Sequence, residues 1–157
     1  MKRQACDHGP AWTPGGFVAE LPRMPRQLFL VAGTVVDRPI SNELRERLML
    51  AVARENRCRH CMAAHARLGA ASGIPHAEIN AILDGTWKGN APREAAALAY
   101  VRDLARREFE GRDEGLWSAL DDYFTHPEKD AIQASASVMN FANRFMNGVD
   151  ALLCRLL

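Results

Sequence analysis

An all-α domain of six to seven helices is the fold this sequence predicts. Three observations carry that expectation. From Ser41 onward the chain divides into stretches that open on capping residues or prolines and close, in several cases, on glycine. No stretch has a convincing strand pattern. The composition is that of a folded chain: 157 residues, 48% hydrophobic and 25% charged, enough for one domain with a real core.

The elements follow in order. Residues 1–26 are rich in glycine and proline and read as an irregular arm, with packing on a neighbouring subunit as one expectation; residues 27–157 form the helical domain. Leu28 to Val36 is a short apolar run that periodicity alone leaves open between helix and strand; the helical surroundings favour helix. Ser41 or Asn42 caps a helix running to about Asn56. A second starts near Cys58 and stops at Ser72-Gly73. Pro75 opens a third through Leu83, ended by Asp84-Gly85. Pro92 opens an Ala- and Leu-rich helix to about Phe109. Asp113 caps the next, to Phe124. Thr125, with Glu128 at capping-box spacing, starts the last, which continues towards Gly148 and resumes to the end. Met139, Phe141, Phe145 and Met146 within it fall at helical spacing and read as core or subunit interface.

Charge and hydropathy exclude several functions. A net charge of +1 gives no electrostatic case for nucleic acid. No apolar run approaches the roughly 20 residues of a membrane-spanning helix. The N-terminus lacks the apolar core of a secretory leader, so a cytoplasmic location is expected. In a reducing compartment a close cysteine pair is catalytic or metal-binding more often than structural.

That pair lies in Glu55-Asn56-Arg57-Cys58-Arg59-His60-Cys61-Met62-Ala63-Ala64-His65. On a helix advancing ~100° per residue, Cys58, Cys61 and His65 fall within roughly 60° of one another, while His60 points to a different side. Helical i, i+3 positions lie ~5 Å apart at Cα, which a disulfide spans. Cys61 and His65 are i, i+4 neighbours, so the imidazole can exchange a proton with the thiol directly or through one water. Cys58 stands at the helix start, where the dipole favours a thiolate.

A bare thiol is insufficient. At a pKa of ~8.5 only a few per cent is ionised at neutral pH; a pKa of ~6.5 raises that fraction about 25-fold. Nucleophilicity falls with pKa, so the net gain is only a few-fold. Proton delivery to the leaving group must supply more. His65 and a nearby carboxylate are the candidates for it. Glu46 is the best carboxylate, since its helix face also carries Met49, Leu50 and Ala53, whereas Glu43, Arg47 and Arg54 form a separate charged stripe. Burial moves a carboxyl towards the neutral form that proton transfer uses.

Glu46, eleven residues, then Cys58-x-His60-Cys61-x-x-x-His65 resembles the active site of alkyl hydroperoxidase D and its carboxymuconolactone decarboxylase-related family. The resemblance extends through Gly73-Ile74-Pro75-His76-Ala77-Glu78-Ile79 and, more weakly, the helix at 93–107 and Asn140-Phe141-Ala142-Asn143-Arg144. It implies an all-α homo-oligomer, commonly a trimer or hexamer, and thiol-dependent reduction of hydroperoxides or of a partner's disulfide. Carried over, Cys61 is the peroxide-reacting thiol, Cys58 resolves, and Glu46, His60 and His65 relay protons. The dipole argument instead favours Cys58 as the more activated thiol. Regeneration would fall to an external dithiol of the dihydrolipoamide kind, or to a lipoyl-type protein, with no cofactor bound.

Three other readings compete. Cys58, Cys61 and His65 supply three possible zinc ligands, and the fourth would have to be Glu46 or a residue from elsewhere. The pair can be a redox switch without turnover. The wider family also contains lactone decarboxylases, which do not use a cysteine pair. His76 and His126 follow helix-start signals and read as structural or exposed; Cys6 and Cys154, near the termini, are expected to have no catalytic role.

Overall fold

The computed structural model of the chain describes residues 9–20, 22, 25 and 39–156. The apolar run Leu28–Val36 and Cys6 lie outside them. The described residues fold into α1 (Pro14–Glu20), α2 (Asn42–Glu55), α3 (Arg59–Ala71), α4 (His76–Asp84), α5 (Pro92–Arg106), α6 (Glu114–Ala119) with a 3-10 turn (Leu120–Asp122), and α7 (His126–Leu156); no strand occurs among them.

Helix α2 is the centre. Ser41 caps it, its Oγ accepting from the Leu44 N–H at 3.1 Å. Leu48, Ala51, Val52 and Ala53 are fully buried, so the helix is apolar on several faces at once and packs against α3, α4, α5 and α7. Leu48 and Val52 meet Tyr100 and Val101 of α5 and Ile132 and Ala136 of α7 in one cluster. Leu50 and Ala51 meet Ile79 and Ile82 of α4, with Trp87 and Leu98, in a second. Each buried Leu, Val or Ile contributes about 1.5–3 kcal/mol relative to exposure.

Polar ties fix the neighbours' angles. Arg47, on the separate charged stripe, is largely buried. It pairs with Glu78 of α4 and, at 3.5 Å, with Glu94 of α5, and lies 6.0 Å from the Trp87 ring centre. Arg54 of the same stripe reaches Glu55 and the Asp84 carbonyl. Gly85 closes α4 at φ 78°, and a Cβ there would also overlap the Arg54 guanidinium.

Several boundaries differ from the expected ones. Helix α5 stops at Arg106 because Glu108 and Phe109 take φ of 56° and 63°, and the Phe109 N–H closes back on the Leu104 carbonyl at 2.8 Å. Asp113 caps α6 as expected, but regular helix ends at Ala119 and tightens into the 3-10 turn before Phe124. Helix α7 runs through Gly148 without a break. One helical glycine costs only about 1 kcal/mol, which does not by itself end a helix. His76 and His126 are exposed first residues of α4 and α7.

The stretch read as an irregular arm contains helix α1, and its described part docks on the chain's own α7. Phe17 sits 6.1 and 6.2 Å from the Phe141 and Phe145 ring centres, Trp12 sits 6.2 Å from Phe141, and Asn147 donates to the Pro10 carbonyl at 2.9 Å. Of the four apolar α7 residues singled out by spacing, Met139 is in the core and Phe145 remains 47% exposed. No helix among the described residues is long and apolar enough to cross a membrane, α7 included.

Glu78 links this packing to pH. Its partial burial opposes ionisation, but hydrogen bonds from Arg47 and Asn90 and the Arg47 charge outweigh that and hold its carboxyl below the ordinary 4.5. A depressed folded value stabilises above the unfolded one and is lost as pH falls through the folded one. Glu78→Gln should therefore cost about 1.5 kcal/mol at neutral pH, the low end for a hydrogen bond to a charged group, since the amide oxygen can still accept from Arg47. Urea unfolding should also show a shallower stability loss for the variant than for wild type from about pH 5 to about pH 3.

Candidate redox site

The site is built where α2 ends and α3 begins. Helix α2 closes at Asn56, Arg57 takes φ 53°, and the Cys58 N–H returns to the Ala53 carbonyl at 3.0 Å. This reverses the chain within two residues. Two asparagines of α7 hold the turn: Asn56 donates through Nδ2 to Asn140 Oδ1 at 3.0 Å, and Asn147 donates to the Asn56 carbonyl at 2.9 Å.

Cys58 is therefore the N-cap of α3 and stands just before its first turn, in extended conformation. Its Sγ accepts from the Cys61 N–H at 3.3 Å, the role a serine oxygen more often fills. Cys58 and Cys61 are joined as a disulfide with their Cα atoms 5.3 Å apart. Cys58 is fully buried, whereas Cys61 retains 6% of its surface. After reduction, a Cys58 thiolate would lie at the positive end of α3 on a backbone donor, which lowers the cost of its charge.

One turn after Cys61, His65 turns inward to α2. Its Nδ1 lies 2.7 Å from Glu46 Oε2, with side-chain exposures of 15% and 8%. Glu46 is a buried carboxyl amid apolar packing, and its other oxygen is 3.9 Å from the Arg45 guanidinium. Gly69, four residues after His65, lies at the α2–α3 contact. A Cβ there would crowd Ile74 Cδ1 at 3.2 Å and touch Glu46 Cβ at 3.9 Å. A carboxyl and an imidazole sharing one hydrogen-bonded proton can pass it between them while the ring's Nε2 takes up or gives up another.

The structure joins Cys58 to Cys61 and His65 to Glu46, and Cys61 and His65 lie one turn apart on α3. It does not add His60 to that group. His60 is 57% exposed in its side chain and its Nε2 meets Asp150 Oδ1 of α7 at 2.8 Å. Sequence reasoning missed Asp150, Asn147 and the structural use of Asn56. Their partners are about 90 residues away, so no local spacing announces them. Among the described residues, no group of three or more His, Cys, Asp or Glu is placed to hold a metal ion.

An all-helical domain with a bridged Cys-x-x-Cys at a helix start and a buried carboxyl–imidazole pair on the next turn defines a class of candidate thiol redox proteins. The chain belongs to the carboxymuconolactone decarboxylase family, whose model matches residues 22–103. The match includes both cysteines, Glu46 and His65, and ends within α5. The family includes alkyl hydroperoxidase D-like proteins and spans peroxidases and decarboxylases. No curated protein matches the chain at a significant level.

The cap makes a stability prediction. Under reducing conditions Cys58→Ser should keep helix α3 capped, and Cys58→Ala should be less stable than Cys58→Ser by about 0.5–2 kcal/mol. Paired denaturation curves check it. Equal stability of the two variants would mean that a side-chain cap at position 58 contributes nothing.

Proposed function

We propose that this protein is a thiol-dependent oxidoreductase that reduces hydroperoxides, or a partner's disulfide, through Cys58 and Cys61. The observation that carries the reading is the bridged pair at the start of α3 with the Glu46–His65 pair one turn away.

The steps balance as follows. The Cys61 thiolate attacks the terminal oxygen of ROOH, the O–O bond breaks, and the departing alkoxide takes a proton from His65, leaving Cys61 sulfenic acid and ROH. The Cys58 thiolate attacks the sulfenic sulfur; with one proton, water leaves and the disulfide forms. An external dithiol then reduces the disulfide and becomes a disulfide itself. A dithiol of the dihydrolipoamide kind, free or on a lipoyl-type protein, is the proposed reductant. The net reaction consumes ROOH and a dithiol and yields ROH, water and a disulfide.

Two physical arguments divide the labour. Access favours Cys61 for the external reagent, since Cys58 is fully enclosed. The helix N-terminus favours Cys58 as a thiolate, which makes it a good resolving nucleophile and a good leaving group when the reductant opens the bridge at Cys61. His60, held by Asp150 at the surface, serves proton exchange on the solvent side in this reading, with Glu46 and His65 as the buried relay. Homotrimer or homohexamer assembly is part of the proposal, with exposed Phe145, Leu152 and Leu153 on α7 as apolar surface available for it.

Steady-state reduction of cumene hydroperoxide by dihydrolipoamide tests the reading. Wild type should turn over, and Cys58→Ser and Cys61→Ser should each lose turnover while keeping the helical circular-dichroism spectrum. Glu46→Gln and His65→Ala should slow turnover about 10²–10⁴-fold, the usual worth of general acid–base catalysis. Turnover retained in both cysteine variants would overturn the assignment. Activity on a small cyclic acid independent of both cysteines would point to the decarboxylase branch instead.

A further inference from the structure

A second concavity lies outside the cysteine site, between the turn after α5 and the outer face of α7. It encloses about 690 Å³, the size of a small-molecule site. Neither cysteine, nor Glu46, nor His65 lines it.

Its walls combine flat apolar and polar surface. Trp12 and Phe141 supply the first, and Ser137, Asn140, Arg112 and Arg144 the second. Arg144 is a largely buried charge: its side chain is only 10% exposed and its guanidinium carbon lies 5.0 Å from the Trp12 ring centre. Burying a guanidinium is costly unless an acceptor balances it. The acceptor present is Glu108, whose Oε2 takes a hydrogen bond from Arg144 Nη2 at 2.8 Å.

Glu108 is an unusual partner. Its side chain is 59% exposed, and its backbone sits at φ 56°, followed by Phe109 at 63°. Two consecutive non-glycine residues in the left-handed region cost of order 1–3 kcal/mol each, a kind of strain that clusters where binding sites are built. The turn therefore brings a carboxylate to the mouth of the cavity and onto a buried cation, from a side chain free to swing into solvent. The Arg144 Nε–H, also buried, has no acceptor. Its hydrogen-bonding capacity is not used up by Glu108.

We propose that this cavity is a binding site for a small organic carboxylate with a flat apolar body, whose carboxylate takes the place of Glu108 on Arg144 while the body lies against Trp12 and Phe141. A bidentate guanidinium–carboxylate contact suits that exchange. The site is distinct from the redox pair but connected to its mounting, because Asn140 in its wall accepts the hydrogen bond from Asn56, two residues before Cys58.

Calorimetric titration of the full chain with benzoate, and with benzamide as the uncharged analogue, tests the proposal. Benzoate should bind saturably and benzamide at least tenfold more weakly. Glu108→Gln, which removes the competing charge from an exposed side chain, should tighten benzoate several-fold. Arg144→Gln should weaken it tenfold or more. Should that buried substitution unfold the chain, Glu108→Gln and the benzamide comparison decide alone. Absence of saturable benzoate binding, equal binding of benzamide, or an affinity unmoved by Glu108→Gln would each overturn the proposal.

Discussion

The turn from Asn56 to Cys58 is the constraint on which the rest of the site depends. It ends α2, which carries Glu46, and starts α3, which carries Cys61 and His65. The left-handed Arg57 makes the reversal tight enough for Cys58 to become the cap of α3. The backbone N–H groups of the turn bond locally, but the Asn56 carbonyl and side chain need partners from elsewhere. Asn140 and Asn147 of α7 supply them, reaching across the core to the side chain and carbonyl of Asn56. The last helix thereby positions a cysteine with which it shares no sequence neighbourhood.

With the turn fixed, the remaining geometry follows from packing. Helices α2 and α3 leave the turn antiparallel and press together where Gly69 has no side chain. Glu46 is then enclosed, and an enclosed carboxyl without a partner would cost several kcal/mol. His65 is the group in reach, at 2.7 Å. The same contact that satisfies a buried acid also makes a proton store one turn from Cys61. In the proposed reaction stability and chemistry draw on one hydrogen bond, so a substitution that removes either partner would carry both effects. A comparison with the isosteric Glu46→Gln separates them better than truncation does.

Much of this was legible in the sequence because it is local. Ser41, Asp113 and the Thr125–Glu128 pair announce helix starts, and each hydrogen-bonds at its expected start. The Cys58, Cys61 and His65 spacing is likewise local, although Cys58 is the extended cap just before α3 rather than a residue of its first turn. Glu46 was within reach because the apolar company of its face signals burial. The parts that were not legible are set by distant contacts. Periodicity could not tell that α5 would end at a strained Glu108-Phe109 turn, because side chains suited to helix occupy positions where the backbone leaves it. Nor could it tell that Gly148 would remain inside α7, or that His60 would find Asp150 rather than the buried pair. Arg47 fell on a charged stripe apart from the apolar face; only the arrival of Glu78 and Glu94 from two other helices makes it an interior tie.

The two cysteines are unlike because a helix start is asymmetric. The cap position is enclosed by the preceding turn and by the core, and it receives the backbone donors of the first turn. The position three residues later lies on the first turn itself and is the one that retains surface. A Cys-x-x-Cys placed across a helix start therefore separates charge stabilisation from access without further residues. In the proposed reaction this matters at both ends of the cycle. The stabilised sulfur is the better leaving group when the bridge is opened, and the accessible sulfur is the one an external oxidant or thiolate reaches. The pair of arguments that seemed to compete for one attacking cysteine becomes a division between two.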